Sequence, residues 1–290
     1  MPTSLSAKQL LHLRSDSVPG QPSHTAAYLE QSTGEQGTGE QGTGTPLLML
    51  HGFLGDATNW EPLMGQLDSH IRCIGLDLLG FGDSAKPPIR YDIAQEVAFV
   101  HQVLAALNIE SCYLLGHSFG GWVGAAYALA YPDAVKGLLL AAPAGIRDDS
   151  FCGRYDHLRP LLWRTPAIDW ALTLAKPIAS LIGQRPAVDQ IAWFRQELMA
   201  QPAACSFLLD RLRPEDAIDT VEKDIHRLKV PTLVMTGDRD ETIPLWHSET
   251  YANEIPHAKL AIIPDADHAL PQKYAAELAA LIVPFLRANA

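Results

Sequence analysis

The run Gly116-His117-Ser118-Phe119-Gly120-Gly121 constrains this 290-residue chain more than any other stretch. It follows an apolar, strand-like segment, Cys112-Tyr113-Leu114-Leu115, and opens a helix-like one, Trp122 to Leu129. A strand that turns into a helix this abruptly forces its central residue into a strained backbone conformation. The flanking positions must then be glycine to clear neighbouring backbone. Such a bend exposes the Ser118 hydroxyl, so the residue is a candidate nucleophile. Serine also caps helices, but a cap requires neither glycine on both sides nor the partners found elsewhere in the chain.

Those partners occur in a telling order. Leu47-Leu48-Met49-Leu50 reads as a buried strand running into His51-Gly52-Phe53-Leu54-Gly55, a glycine-punctuated loop able to aim a backbone N–H at a developing negative charge. The N–H of Phe119, next to Ser118 at a helix N-terminus, supplies a second such donor. Downstream, Thr232-Leu233-Val234-Met235-Thr236 ends in Gly237-Asp238-Arg239-Asp240, which puts acidic residues at the carboxyl end of a strand. Leu260 to Ile263 reads as a last strand, followed by Pro264-Asp265-Ala266-Asp267-His268 and a helix from about Tyr274 to Leu286. His268 is the candidate base.

With these segments, and with Asp77-Leu78-Leu79-Gly80-Phe81-Gly82-Asp83-Ser84 after another strand, the chain resembles the α/β-hydrolase superfamily from about Pro46 to its C-terminus, outside the middle segment. The resemblance implies a mostly parallel sheet flanked by helices and a Ser-Asp-His triad of Ser118, Asp240 and His268, with Asp238 as a second candidate acid. It implies that the amides of Phe53 and Phe119 form the oxyanion hole. The expected chemistry is hydrolysis of a carboxylic ester or related acyl compound without a cofactor. Superfamily dehalogenases and epoxide hydrolases place aspartate at the elbow, so serine here favours acyl chemistry. Three alternatives stay open: a lyase, a carbon–carbon bond hydrolase, and a non-catalytic ligand-binding receptor on the same scaffold.

Composition agrees with an α/β enzyme. Strand-like runs at Leu10 to Leu13, Ala26 to Gln31, Leu47, Cys73 to Leu78, Cys112, Gly137 to Ala141, Thr232 and Leu260 alternate with helical stretches such as Ile93 to Leu107, which predicts a parallel sheet covered on both faces. Residues 1–146 and 226–290 are read as the catalytic core, with 32–45 a flexible Gly-rich loop. Residues 147–225 are read as a helical cap. A formal net charge of −11 argues against nucleic acid as a partner. No apolar run approaches the length of a membrane span, and Met1 to Arg14 lacks a secretory signal, so the expected setting is cytoplasmic with no stable membrane insertion. Cys73, Cys112, Cys152 and Cys205 have no metal-ligand spacing and are expected to be free thiols; no metal site is predicted.

The expected substrate is an apolar small acyl compound. Trp163 and Trp170, in the apolar first half of the cap, are candidate pocket residues. The same apolar stretch is expected to pack the cap onto the core. His51 is expected to brace the oxyanion loop, and the direction of His117 is not fixed by sequence.

Overall fold

The computed structural model describes residues 7–13, 24–31, 45–68, 70–151, 159–208 and 219–290. The Gly-rich loop read over 32–45 lies outside these residues except for Thr45, as do Cys152, Arg154, Arg211 and Arg213.

Eight strands form one sheet in the order β1-β2-β4-β3-β5-β6-β7-β8. They are β1 (Gln9–Leu13), β2 (His24–Gln31), β3 (Leu47–Leu50), β4 (Cys73–Leu76), β5 (Cys112–His117), β6 (Val135–Ala141), β7 (Thr232–Gly237) and β8 (Lys259–Ile263). From β4 through β8 every neighbouring pair is parallel; β1 on β2 and β2 on β4 are antiparallel. The parallel interior explains the unbroken apolar runs, because β3, β4 and β5 are buried along their whole length and a strand covered on both faces has no solvent side to mark with polar residues.

Alternate residues of each strand enter two different cores. Leu48, Leu50, Leu114, Leu138 and Val234 join one core with α2 (Ile93–Ala106) and α3 (Phe119–Ala130). Leu47, Met49, Leu115, Leu139 and Met235 join the other, with α1 (Glu61–Met64) and α9 (Ala275–Ala288). This period of two fixes register, since a one-residue slip would exchange the two sets.

Between β6 and β7 the described residues form α4 (Pro166–Leu181), α5 (Arg185–Ala200) and α6 (Pro202–Ser206). The last of these is anchored: Ala203, Ala204, Cys205 and Phe207 are buried in the first core, and the Tyr91 N–H donates to Ser206 Oγ at 3.1 Å. Helix α4 is not, with Ala179 its one buried residue. After β7 come α7 (Leu245–Glu254) and α8 (Leu270–Lys273). Cys73, Cys112 and Cys205 are buried free thiols; burial pushes the Cys73 and Cys112 thiols up to about 12.

The chain passes from β3 outward to β4, then returns to the far side of β3 as β5. The order therefore reverses between β3 and β5, and at such a switch point connecting loops leave in opposite directions, opening a crevice beyond the strand ends. The His51 loop leaves β3 there, and Ser118 leaves β5.

Candidate active site

Ser118 follows directly on the last residue of β5 and precedes the first of α3. Its backbone sits at φ 52, ψ −115, a region that costs a non-glycine residue of order 1–3 kcal/mol. The strain is held by neighbours on every side. The Ser118 carbonyl accepts from the N–H groups of Gly121, Trp122 and Ala144, and its own N–H donates to Ala141 at 2.9 Å. A Cβ on Gly116 would meet the Gly120 carbonyl at 2.2 Å, and one on Gly120 would meet the Leu50 carbonyl at 2.1 Å. Helix, elbow and β3 therefore meet backbone to backbone, which explains the glycines flanking the serine.

Ser118, His268 and Asp240 are drawn from three distant parts of the chain into one hydrogen-bonded line. Ser118 Oγ donates to His268 Nε2 at 2.9 Å, and His268 Nδ1–H donates to Asp240 Oδ2 at 2.7 Å. The Asp240 side chain is fully shielded from solvent, while that of His268 retains 21 % exposure. The other Asp240 oxygen accepts from the N–H groups of Thr242 and Ile243 at 2.8 and 2.9 Å, which orients the carboxylate after β7. Gly237, at the end of β7, lets the loop carrying His268 pass close, since a Cβ there would lie 2.1 Å from the Ala266 carbonyl. Asp238 is exposed and does not reach the imidazole. Asp265 pairs with Arg239. Asp267 accepts from the Ala269 N–H and pairs with Lys273.

Two further histidines support this line. His51 Nδ1–H donates to the Gly52 carbonyl at 2.8 Å while its Nε2 accepts from the Leu78 N–H at 3.0 Å, so the neutral ring ties the loop after β3 to the loop after β4. His117, whose direction the sequence left open, turns toward the loop carrying His268: its Nε2–H donates to the His268 carbonyl at 2.8 Å, with the two rings 4.9 Å apart. Gly52 makes room for it, because a Cβ there would lie 2.8 Å from His117 Nδ1. Burial, and secondarily the neighbouring His268, drive the His117 imidazole down to about 3.

A histidine depressed in the folded state stabilises the fold fully above its unfolded value, about 6.5, and loses that contribution as pH falls toward 3. The glutamine side chain of His117→Gln keeps a donor near the same place but does not titrate. Urea titrations of this variant across that window are expected to give a shallower acid decline of stability than wild type. An unchanged acid limb would show that His117 carries none of it.

The walls beside Ser118 are aromatic. Phe119 packs on Phe207 at 4.9 Å and Phe53 at 6.0 Å between ring centroids, and Trp122 lies 6.2 Å from Phe207. The Trp122 Nε1–H donates to the Asp219 carbonyl at 3.0 Å. The sequence did not announce the contact of Trp122 with Phe207, because it joins α3 to the residue that follows α6. A second missed tie is His247 on α7, whose Nε2 meets Asp148 Oδ2 at 3.1 Å with both side chains nearly buried; the residues are 99 apart in sequence, so no local pattern announces them.

The pocket expectation for Trp163 and Trp170 is corrected: they are 60 % and 66 % exposed. The reason is that the side of α4 turned inward carries Ile168, Leu172, Ala175 and Ala179, whereas Trp170 falls on the opposite side of the 3.6-residue turn. The expectation that the whole apolar stretch packs onto the core holds for Leu162 and fails for Leu174, Ile178, Leu181 and Ile182. A cleft of about 700 Å³ lies beneath the start of α4, lined among others by Lys86, Ile89, Arg164, Asp169 and Met199. None of the three hydrogen-bonded residues lines it.

A family described as "Alpha/beta hydrolase family" matches residues 47–281. The 2-hydroxymuconate semialdehyde hydrolase of a Pseudomonas species is 32 % identical over 250 residues, covering 83 % of this chain and 86 % of that one. Lipase 3 of a Moraxella species is 30 % identical over 231 residues, covering 77 % and 71 %. The crystal structure of a meta-cleavage product hydrolase from Pseudomonas fluorescens, complexed with acetates, superposes with a TM-score of 0.70 at 25 % identity, covering 99 % of both chains.

Proposed function

The chain belongs to the alpha/beta hydrolase family, and from that premise we propose that it is a serine hydrolase cleaving a carboxylic ester or a related acyl compound through an acyl-enzyme. The observation that carries this reading is the continuous line from Ser118 Oγ through His268 to Asp240, with contacts of 2.9 and 2.7 Å. A serine hydroxyl at its ordinary pKa is a weak nucleophile, so attack on the acyl carbon requires a base within hydrogen-bond reach. His268 Nε2 takes the Ser118 proton as the Oγ–C bond forms, and Asp240 stabilises the resulting imidazolium while fixing its orientation.

The negative charge that appears on the carbonyl oxygen goes to the amides of Phe53 and Phe119. Phe119 opens α3, so its N–H is among those a helix leaves without an intrahelical acceptor. One such donor typically lowers the barrier by about 3 kcal/mol. When the tetrahedral adduct collapses, the imidazolium hands its proton to the departing oxygen. Water then attacks the acyl-enzyme with His268 again as base, and the partial exposure of that ring gives water a route to it. The Phe53, Phe119, Trp122 and Phe207 rings favour an apolar acyl group.

Two measurements test the reading. A fluorophosphonate probe is expected to label Ser118, and a chain-length series of p-nitrophenyl esters to be turned over; a protein that is neither labelled nor active on any of them is not a serine esterase. Asp240→Asn is expected to reduce kcat by about 10⁴ with little change in KM, because the carboxamide supports the wrong imidazole tautomer.

A second reading, carbon–carbon bond hydrolysis, is favoured by the similarity to 2-hydroxymuconate semialdehyde hydrolase and to 2-hydroxy-6-oxo-2,4-heptadienoate hydrolase. It uses the same site, so the substrate decides. Faster turnover of 2-hydroxy-6-oxo-2,4-heptadienoate than of any p-nitrophenyl ester would replace the ester reading with this one.

A further inference from the structure

The loop after β3, residues 51–57, is held at both ends by the loop after β4. At its start His51 Nε2 accepts from the Leu78 N–H at 3.0 Å, and at its end the Ala57 N–H donates to Asp77 Oδ1 at 2.6 Å. Phe53 stands between these two ties, its ring 5.9 Å from that of Phe81 in the loop after β4. The place of the Phe53 amide therefore depends on Asp77.

Asp77 carries a carboxylate that water does not reach, its side chain being 0 % exposed. Its second oxygen, Oδ2, accepts from the Asp83 N–H at 2.7 Å and from Lys8 Nζ at 2.8 Å. Gly82, at φ 47, lets the chain wrap this group, since a Cβ there would lie 2.1 Å from Oδ2. The Lys8 ammonium also meets Asp83 Oδ2 at 3.1 Å and Asp56 Oδ2 at 3.2 Å. Asp56 belongs to the loop after β3, whereas Asp77 and Asp83 belong to the loop after β4. One cation from the residue ahead of β1, 69 positions from Asp77 in sequence, thus joins the two loops.

Three carboxylates converge on this nitrogen, and among the described residues none of the three pairs with another cation. Burial pulls the Lys8 ammonium down, but the hydrogen bond and charge of Asp77, with Asp56 behind them, outweigh it and hold the group above its ordinary range. An anion left in a dry site without its partner takes up a proton or moves toward water. Without Lys8, Asp56 and Asp77 become like charges that repel, and the loop after β3 is driven from the loop after β4.

We propose that Lys8 is a positioning residue of the active site: by bridging Asp56 to Asp77 it holds the loop after β3 where the Phe53 amide meets the oxyanion. The role rests on the hydrolysis proposed above.

The test compares wild type with Lys8→Met, which keeps the apolar stem and removes the charge, and with Lys8→Met/Asp56→Asn, which also removes a charge that the ammonium offsets. Asparagine retains the cap that Asp56 places on the Thr58 N–H. Rates are counted per site titrated to completion with a fluorophosphonate, so unfolded protein does not enter. Lys8→Met is expected to lower kcat on the best p-nitrophenyl ester about tenfold with KM within about twofold, a part of the roughly 10²–10³ that one oxyanion donor supplies. The amides of residues 53–57 are expected to exchange with deuterium at least about tenfold faster, while those of α3 keep their wild-type rates. The double variant is expected to recover about threefold in kcat over Lys8→Met. A Lys8→Met protein as active as an active wild type, faster exchange in α3 as well, or no recovery in the double variant would overturn the tether and leave the hydrolase reading in place. A wild type that neither takes the probe nor turns over any p-nitrophenyl ester or 2-hydroxy-6-oxo-2,4-heptadienoate removes the hydrolase reading, and the role of Lys8 with it. If Lys8→Met does not fold, Lys8→Gln takes its place with the same outcomes; failure of both to fold assigns Lys8 to stability alone and overturns the proposal.

Discussion

Ser118→Ala is expected to lower kcat/KM on the best p-nitrophenyl ester by about 10⁴ to 10⁶ while leaving the fold intact. The single atom removed is the one that meets His268 Nε2 at 2.9 Å. Everything that positions it is main chain or belongs to other residues: the three N–H groups on the Ser118 carbonyl, the donation of its own N–H to Ala141, and the close approach of β3 to α3. Alanine keeps all of these. Some rate over water survives, because the two amide donors remain. A variant retaining more than about one per cent of wild-type activity would remove Ser118 from the chemistry.

The same position allows a stability measurement that separates catalysis from strain. Ser118→Gly is equally inactive, but glycine adopts φ 52, ψ −115 without the penalty that serine and alanine bear. The relief outweighs the extra chain entropy of glycine by about 1 kcal/mol, so the glycine variant should melt about 2 °C above the alanine variant. Equal melting temperatures would mean that the elbow stores no strain.

Gly120→Ala is expected to produce a large loss of stability from a single methyl group. Its Cβ would lie 2.1 Å from the Leu50 carbonyl oxygen, 2.5 Å from the Leu50 carbonyl carbon and 2.6 Å from the His51 carbonyl oxygen. All three are backbone atoms at the end of a strand buried in the middle of the sheet. No side chain can rotate away to relieve the clash, so α3 must lift from β3 as a unit. The expected cost is about 3 kcal/mol or more, or about 6–12 °C in melting temperature. The shift also carries Ser118 and the Phe119 amide away from the loop after β3, so activity is lost in the fraction that does fold. Gly65→Ala is the control: its φ is −65 and its Cβ would find nothing nearer than 3.6 Å, so its stability should match or slightly exceed wild type. A Gly120→Ala protein as stable as this control would show that the contact between β3 and α3 is looser than these distances require.

Much of this architecture was legible in the chain itself, and the reasons are local. The interior strands carry apolar runs because both of their faces are covered, and the glycines around Ser118 are present because three pieces of backbone meet there. Asp240 and His268 stand beyond the carboxyl ends of β7 and β8, where loops leave a parallel sheet toward a common crevice. Gly237 and Asp240 could be read together for the same reason, since one lets the His268 loop approach and the other holds its imidazole. Patterns of this kind repeat over a few residues, and a few residues suffice to detect them.

Other features depended on which distant surfaces come together. Whether Asp238 or Asp240 reaches the imidazole is decided by the turn after β7, which leaves the first in solvent and caps the second with the N–H groups of Thr242 and Ile243. His117 acquires its partner only when the loop after β8 folds back across β5. The apolar stretch around α4 misled the pocket expectation because hydrophobic periodicity states that a face is apolar without stating what covers it. Trp170 and Leu174 share their helix with Leu172 and Ala179, and only packing against α5 and the core determines which face is left outside. The sequence by itself determined the sheet, the elbow and the three residue types of the site, since each follows from steric and solvation rules acting along a short stretch of chain. The tertiary structure alone decided their pairing, the aromatic wall beside Ser118 and the outward stripe of α4, because those are contacts between surfaces far apart along the chain.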